Sequence, residues 1–430
     1  MANKSNKIDK QKAWFKLDNA AKIFPGQNSA KWSNIFRLSV TLDEKIDLVL
    51  LEKALEQTIF RFPFFDVRMR RGLFWYYLEK NKHTAPPVLP DIKNPCYRVR
   101  WHENKGFLFR VYYYENKISV DFFHSLSDGF GGSRFITTLA AEYLRLTGVD
   151  IPTGAAVLDV SEEASDAEME DAFRRHGTSK GKPRKRGNFV YHAKGTKMPA
   201  HTLNITSGFL SVQDVADKAK QHGVTVTEFI AAVLLDVLYH KQLGENRKQK
   251  EISVQIPVNL RKAFPSETLR NFTMCYDVRI DPRLGEYTFE EILRQVSLYL
   301  RYVNTPKELN AMMTSNLKLE RNWLLRAMPL GIKKIGIALS FLFTGERRTS
   351  ILFTNLGIID VPAEMQKHTN KIVFLPGPGK LNGTRIGAVS FMGTMALTFA
   401  NIYRESNIER EFFTRFVKMG IPVKIESNRD

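Results

Sequence analysis

Lys117-Ile118-Ser119-Val120-Asp121-Phe122-Phe123-His124-Ser125-Leu126-Ser127-Asp128-Gly129 is the stretch on which the fold turns. Its alternation places Ile118, Val120, Phe122 and His124 on one face of a predicted strand. The chain then turns through Ser-Leu-Ser-Asp-Gly into a helix predicted over 131–146, with Phe135, Ile136, Leu139, Ala140, Tyr143 and Leu144 on one side. His124 therefore stands at a strand end, leaning toward the apolar face. A neutral imidazole there is a competent general base near neutral pH. Asp128 sits at the helix entry, where Gly129 lets the backbone turn sharply. The residues alone leave a second account open. His124 is equally compatible with a partly buried histidine satisfied by backbone, and Asp128 with a helix N-cap and nothing more.

Working outward, 34–42 alternates as a strand. Residues 47–60 carry Leu48, Leu51, Leu55 and Ile59 at helical spacing behind an acidic first turn. Residues 64–69 and 73–78 read as a hairpin around Arg70-Arg71-Gly72, and 107–114 with 117–124 as a second one turning at Glu115-Asn116. The second half starts a similar programme. A helix near 211–222 precedes Thr225-Val226-Thr227-Glu228, a capping box opening the apolar helix 229–238. Strands are predicted at 252–258, 274–280, 350–354, 371–374, 386–391 and 395–402, and helices at 288–302 and 408–419. Residues 306–343 read as helical and apolar, broken by Pro329 and Gly331.

A chain of 430 residues exceeds one ordinary core, so two lobes are expected. Between them, 159–171 carries seven acidic and no basic residues, and 172–199 carries nine Lys/Arg and no acid. The expected division is an N-terminal lobe over 1–158, a charged crossover linker over 159–200 and a C-terminal lobe over 201–430. The run Lys180-Gly181-Lys182-Pro183-Arg184-Lys185-Arg186 is read either as half of a self-neutralising crossover or as a basic arm for phosphate or anionic lipid. Each half mixes strands with flanking helices, which points to two α/β lobes around one cleft.

The net charge of +19 suits a coenzyme's phosphates, an acidic carrier protein or an anionic membrane, and equally suits solubility alone. Nucleic acid ranks last, because no reader motif accompanies the charge. Cys96 and Cys275 are isolated, which argues against a disulfide framework and fits a reducing, cytoplasmic setting. The N-terminus has no apolar stretch like a signal peptide, and the longest apolar run, 335–343, is about half a membrane span. Nine histidines show no metal-ligand spacing, so no metal is expected. The glycines at 129, 131 and 132 lack a dinucleotide fingerprint, and Pro376-Gly377-Pro378-Gly379-Lys380 lacks the rest of a phosphate loop. The segment 323–343 is read as channel-lining core helices or as a membrane-surface helix that contacts the bilayer peripherally.

His124-Ser-Leu-Ser-Asp128-Gly129 resembles the HxxxDG signature of the coenzyme-A-dependent acyltransferase superfamily, which includes chloramphenicol acetyltransferase and peptide-synthetase condensation domains. Ile256-Pro257-Val258-Asn259-Leu260-Arg261 with Asn271-Phe272 resembles the family's second-lobe arginine segment, and Phe353-Thr354-Asn355-Leu356-Gly357 its strand end. The three occur in the family's order, and the likeness spans nearly the whole chain, leaning toward bacterial alcohol acetyltransferases. Phe123 stands where condensation domains carry an additional histidine. The resemblance implies an α/β fold of two chloramphenicol-acetyltransferase-like lobes, related by pseudo-twofold symmetry around a central tunnel. It implies that His124 deprotonates an alcohol or amine, which attacks the carbonyl of an acyl-CoA cosubstrate. It further implies that Asp128 holds geometry, that Gly129 and Arg261 support the catalytic loop with Arg261 as the partner of Asp128, and that Asn355 lies toward substrate or coenzyme. A solvated Arg261 and a turn-forming Asn355 are the plainer accounts of those two residues. The expected function is transfer of an acyl group, acetyl foremost, from a coenzyme A thioester to an alcohol. The alternative is a condensation-type or non-catalytic module docking an acyl carrier protein.

Overall fold

The computed structural model describes residues 14–28, 34–181, 187–245, 247–333, 335–336, 346–379 and 381–429. Most of the basic run 180–186 and most of the apolar run 335–343 lie outside the described residues.

Strands β6 (Phe109–Tyr114) and β7 (Lys117–Phe123) form the expected hairpin, and Glu115 takes φ 49° in its turn. On its other side β7 pairs antiparallel with β2 (Ile35–Leu42), Ile35 facing Phe123. With β5 (Val88–Pro90) and β12 (Thr369–Pro376) they make a five-stranded sheet in the order β12-β2-β7-β6-β5. Helices α2 (Leu48–Arg61) and α3 (Gly129–Leu146) cover it, and their interface with the sheet is aromatic. Phe65 stacks on Phe135 at 4.9 Å, and Phe109 meets Phe135 edge-on at 5.0 Å.

A seven-stranded sheet runs β10-β9-β11-β13-β14-β8-β15. Its members are β8 (Asn204–Ser211), β9 (Ile252–Asn259), β10 (Thr273–Ile280), β11 (Ile351–Ile358), β13 (Thr384–Phe391), β14 (Thr394–Asn401) and β15 (Lys424–Ser427). Because side chains alternate, β13 and β14 serve two cores. Ile386, Ala388, Leu397 and Phe399 face one core with the helix Val226–Leu243, while Val389, Phe391, Ala396 and Ala400 face the other with β7 and α3. The sheet is thus a layer common to both halves. β12 carries the coupling further. It leaves the second half of the sequence and lies antiparallel on β2, with Pro376 opposite Phe36. A third, small sheet has the order β1-β4-β3, from Trp14–Lys16, Tyr76–Lys80 and Val67–Arg71.

Local departures from the sequence reading have physical causes. The hairpin predicted at 64–69 and 73–78 forms two or three residues later, because Phe64 and Phe65 turn into the core and Gly72 N–H closes the turn on the Trp75 carbonyl at 3.0 Å. α3 starts at Gly129, not 131, because the Asp128 side chain caps it. The helical segment from 306 breaks at Asn322, ahead of Pro329, where the Asn322 side chain caps a new turn, Trp323–Ala327. β8 was not predicted. Its Gly208 lies under the Phe413 ring, so a position that packing requires to be small interrupts the β pattern. Among the described residues no single helix is long and apolar enough to cross a membrane.

Candidate active site

At the end of β7 the backbone of His124 is fixed by an N–H bond to the Asn34 carbonyl at 2.8 Å. Its ring is clamped by aromatics, stacked on Phe24 at 4.8 Å and edge-on to Phe36 at 5.1 Å. The chain between His124 and Asp128 is held from both sides. Ser125 Oγ donates to the Ala21 carbonyl at 3.1 Å, and Ser127 Oγ to the Leu269 carbonyl at 2.6 Å.

The contact that decides the histidine's chemistry comes from Asn271, just before β10. Asn271 Oδ1 lies 3.1 Å from His124 Nδ1. Its Nδ2 donates to the His124 carbonyl at 2.9 Å and toward Asp18 Oδ2 at 3.3 Å. Rotating this amide by half a turn would set its oxygen against a carbonyl and a carboxylate, two acceptors. Oδ1 therefore faces the imidazole, Nδ1 carries the hydrogen, and the lone pair is left on Nε2. Burial is the largest influence on the ring and lowers its pKa below the usual 6.5. The Asn271 bond and the Asp128 charge oppose that shift, and the positive charge of Arg385 adds to it.

Asp128 has no lone pair to spare for proton transfer. Oδ1 caps α3 by accepting from Phe130 N at 3.1 Å and Gly131 N at 3.2 Å. Oδ2 accepts from Phe272 N at 2.9 Å and Arg261 Nη1 at 2.9 Å. The N-cap and the arginine-partner readings thus hold together. Arg261 is equally committed. Nε and Nη2 donate to the Thr268 carbonyl at 3.0 and 2.7 Å, Nη2 also to the Arg270 carbonyl at 2.6 Å, and the guanidinium lies 4.4 Å from the Phe130 ring centre. One arginine thereby ties the connection between β9 and β10 to the helix that follows the histidine. The pair is buried on both sides.

Gly129 and Gly131 answer to packing as well as to the turn. A side chain at Gly129 would collide with Leu356, and one at Gly131 with the Leu269 carbonyl. Asn355 turns out to shape β11's end: Oδ1 accepts from Gly357 N at 2.8 Å, and Nδ2 donates to Thr227 Oγ1 at 3.1 Å. Its neighbour Leu356, packed on Gly129, is the residue that brings this strand end to the histidine loop.

Asp18 and Phe24 escaped the sequence reading, and Asn271 entered it only as part of a segment. Asp18 accepts from Ala21 N at 2.7 Å, lies 3.7 Å from Arg270 Nε, and is fully buried. Burial raises its carboxyl to about 6 against the opposing pull of Arg270. A lone aspartate in a polar N-terminal segment carries no pattern that sequence reasoning can use. Asn271 offered one weak signal, its place with Phe272 in the segment resembling the family's.

No family model and no curated protein matches the sequence. Solved structures do match in shape. TRI101 of F. graminearum, complexed with coenzyme A and T-2 mycotoxin, superposes with a TM-score of 0.65 at 10% identity, covering 97% of this chain and 100% of that one. The TRI3 trichothecene 15-O-acetyltransferase of Fusarium sporotrichioides gives 0.57 at 12% identity, with 94% and 93% covered. The first condensation domain of the CDA synthetase gives 0.58 at 14%, with 95% of each chain covered. The chain has the mixed α/β fold that these proteins share, over nearly its whole length, as the resemblance implied.

Proposed function

We propose that this chain, with the fold of coenzyme-A-dependent acyltransferases and condensation domains, is an O-acyltransferase that uses an acyl-CoA thioester and His124 as general base. The observation that carries this reading is the Asn271 contact, which leaves the lone pair on Nε2 of a desolvated, neutral imidazole. Nε2 takes the proton of an alcohol as its oxygen attacks the thioester carbonyl. The tetrahedral intermediate collapses, the C–S bond breaks, and the imidazolium returns the proton to the departing thiolate. The products are an ester and free coenzyme A. Asp128 and Arg261 hold the loop and take no proton. Asn355 shapes the strand end beside it. A base so placed contributes about 10²–10⁴ in rate, and holding both substrates together much of the rest.

Free-thiol release across a panel of acyl-CoAs and alcohols tests the proposal. His124→Ala should remain folded and lose turnover; undiminished acyl transfer by that variant would sink it. A second reading, a module served by an acyl carrier protein, draws on the likeness to a condensation domain and on the net charge of +19. Saturable turnover with a phosphopantetheinylated carrier and none with free acyl-CoA would favour it.

A further inference from the structure

The small sheet and the region after Asn322 expose large apolar side chains that no core absorbs. Leu73 is 72% exposed, Trp323 72%, Ile335 64% and Leu324 58%, and Phe74 and Ile332 join them. These residues come from separate segments that the structure binds into one surface. Leu330 N donates to the Leu73 carbonyl at 2.9 Å, and Lys333 Nζ donates to the carbonyls of Phe74 at 3.0 Å and Arg326 at 3.1 Å. The Lys333 ammonium also lies 3.8 Å from the Trp75 ring centre. A contiguous apolar patch of this kind on a water-facing surface marks an interaction site.

Charge decides the partner. Arg71, Arg321 and Arg326 are exposed around the patch and have no acidic partner among the described residues. The nearby acids are already taken: Glu79 by Arg68 at 2.5 Å and Arg70 at 2.9 Å, Glu320 by Lys22 at 2.5 Å. An apolar centre with tryptophan and leucine inside a positive rim fits the interface of an anionic bilayer. A second copy of the chain would bring a like-charged rim against this one, and nucleic acid has no use for the aliphatic centre. We infer that this surface, built from the β3–β4 turn, residues 321–333 and Ile335, docks the protein on anionic phospholipid membranes.

The placement has a functional side. Lys22, which binds Glu320 and lies 5.6 Å from the Trp75 ring centre, belongs to the same N-terminal segment that lays Phe24 on His124. A docked bilayer would therefore lie beside the segment covering the imidazole, where membrane-dissolved alcohols or long acyl chains are most concentrated.

Sedimentation of the full-length protein with phosphatidylcholine vesicles, with and without phosphatidylglycerol, tests the inference without reference to catalysis. The wild type should pellet with the phosphatidylglycerol vesicles, and the double change Trp323→Ser, Leu324→Ser should weaken partitioning by about tenfold or more, since two large apolar groups leave the interface. Arg71→Glu with Arg326→Glu should abolish the preference for the anionic lipid. Wild-type protein that stays in the supernatant, or unaltered partitioning of the serine variant, would overturn the inference. So would self-association in velocity sedimentation that the serine changes abolish in the absence of vesicle binding.

Discussion

Asn271 grips His124 twice, through its oxygen at Nδ1 and through its nitrogen at the carbonyl of the same residue. A single amide so placed sets the ring's orientation and its tautomer together. It does so without a charge next to the imidazole, so burial is left to govern the ring's basicity.

Replacing that amide by a carboxylate makes the first prediction. In Asn271→Asp the added negative charge favours the imidazolium and raises the His124 pKa. The neutral base is then lost at a higher pH, so the acid limb of the kcat/KM profile should move upward, and the carbonyl of His124 should lose a donor. A pH–rate profile checks this; an acid limb that stays in place would show that His124 does not supply the titrating base.

Asp18 offers a stability test with a definite sign. Its folded pKa of about 6 stands above the ordinary 3.8 of an aspartate, so its contribution to stability is full below about 3.8 and is lost as pH rises through 6. Against Asp18→Asn, the wild type should therefore gain about 2 kcal/mol between pH 7 and pH 4. Denaturant titrations across that range measure the difference. The same variant swaps one acceptor for a donor beside Asn271, and should lower kcat more than it raises KM. A constant stability offset at every pH would contradict the assigned shift.

The histidine runs the other way. Its folded pKa lies below 6.5, so the unfolded state binds the proton first and stability falls as pH drops below about 6.5. His124→Gln should flatten that fall in a wild-type-minus-variant comparison of melting temperature. Parallel curves would argue that the ring is not desolvated.

Arg261 and Asp128 form the next test. Arg261→Lys keeps the charge and loses the fork that serves Asp128, Thr268 and Arg270 together. Removing one partner of a buried pair costs about 3–5 kcal/mol. Both Arg261→Ala and Asp128→Ala should approach that loss, and the double change should cost less than their sum. Strict additivity in the double-mutant cycle would mean that the two residues are not coupled.

Gly131→Ala should destabilise by about 1–3 kcal/mol, because the new methyl meets the Leu269 carbonyl, which Ser127 already binds. Thermal melting gives the answer directly, and an unchanged midpoint would refute the tight contact.

Much of this site was legible because it follows local rules. The strand through Phe122, the capped helix after Asp128 and the capping box at Thr225 are short-range patterns, and all three form where the sequence places them, to within two residues. Arg261 was reached through the resemblance of its segment, not through any periodicity. What stayed hidden depends on long-range packing. Asp18 matters because the N-terminal segment folds over the β7 end, and β8 forms because two neighbouring strands and Phe413 accept its glycine. Neither fact leaves a mark within a window of ten residues. Asn355 illustrates the converse: its position near the loop follows the resemblance, while its side chain spends both ends on β11 and Thr227.

The pairing of β12 with β2 also governs how this protein comes into being. The sheet that ends in His124 has an open edge until residues 369–376 have been made, so a nascent or truncated chain carries β2 bare for most of its synthesis. Pairing across so long a separation is slow to close and leaves that edge available to other chains meanwhile. The first half is therefore a poor candidate for expression on its own or for grafting into a hybrid enzyme, and swaps between relatives should carry the β12 segment along with the histidine strand.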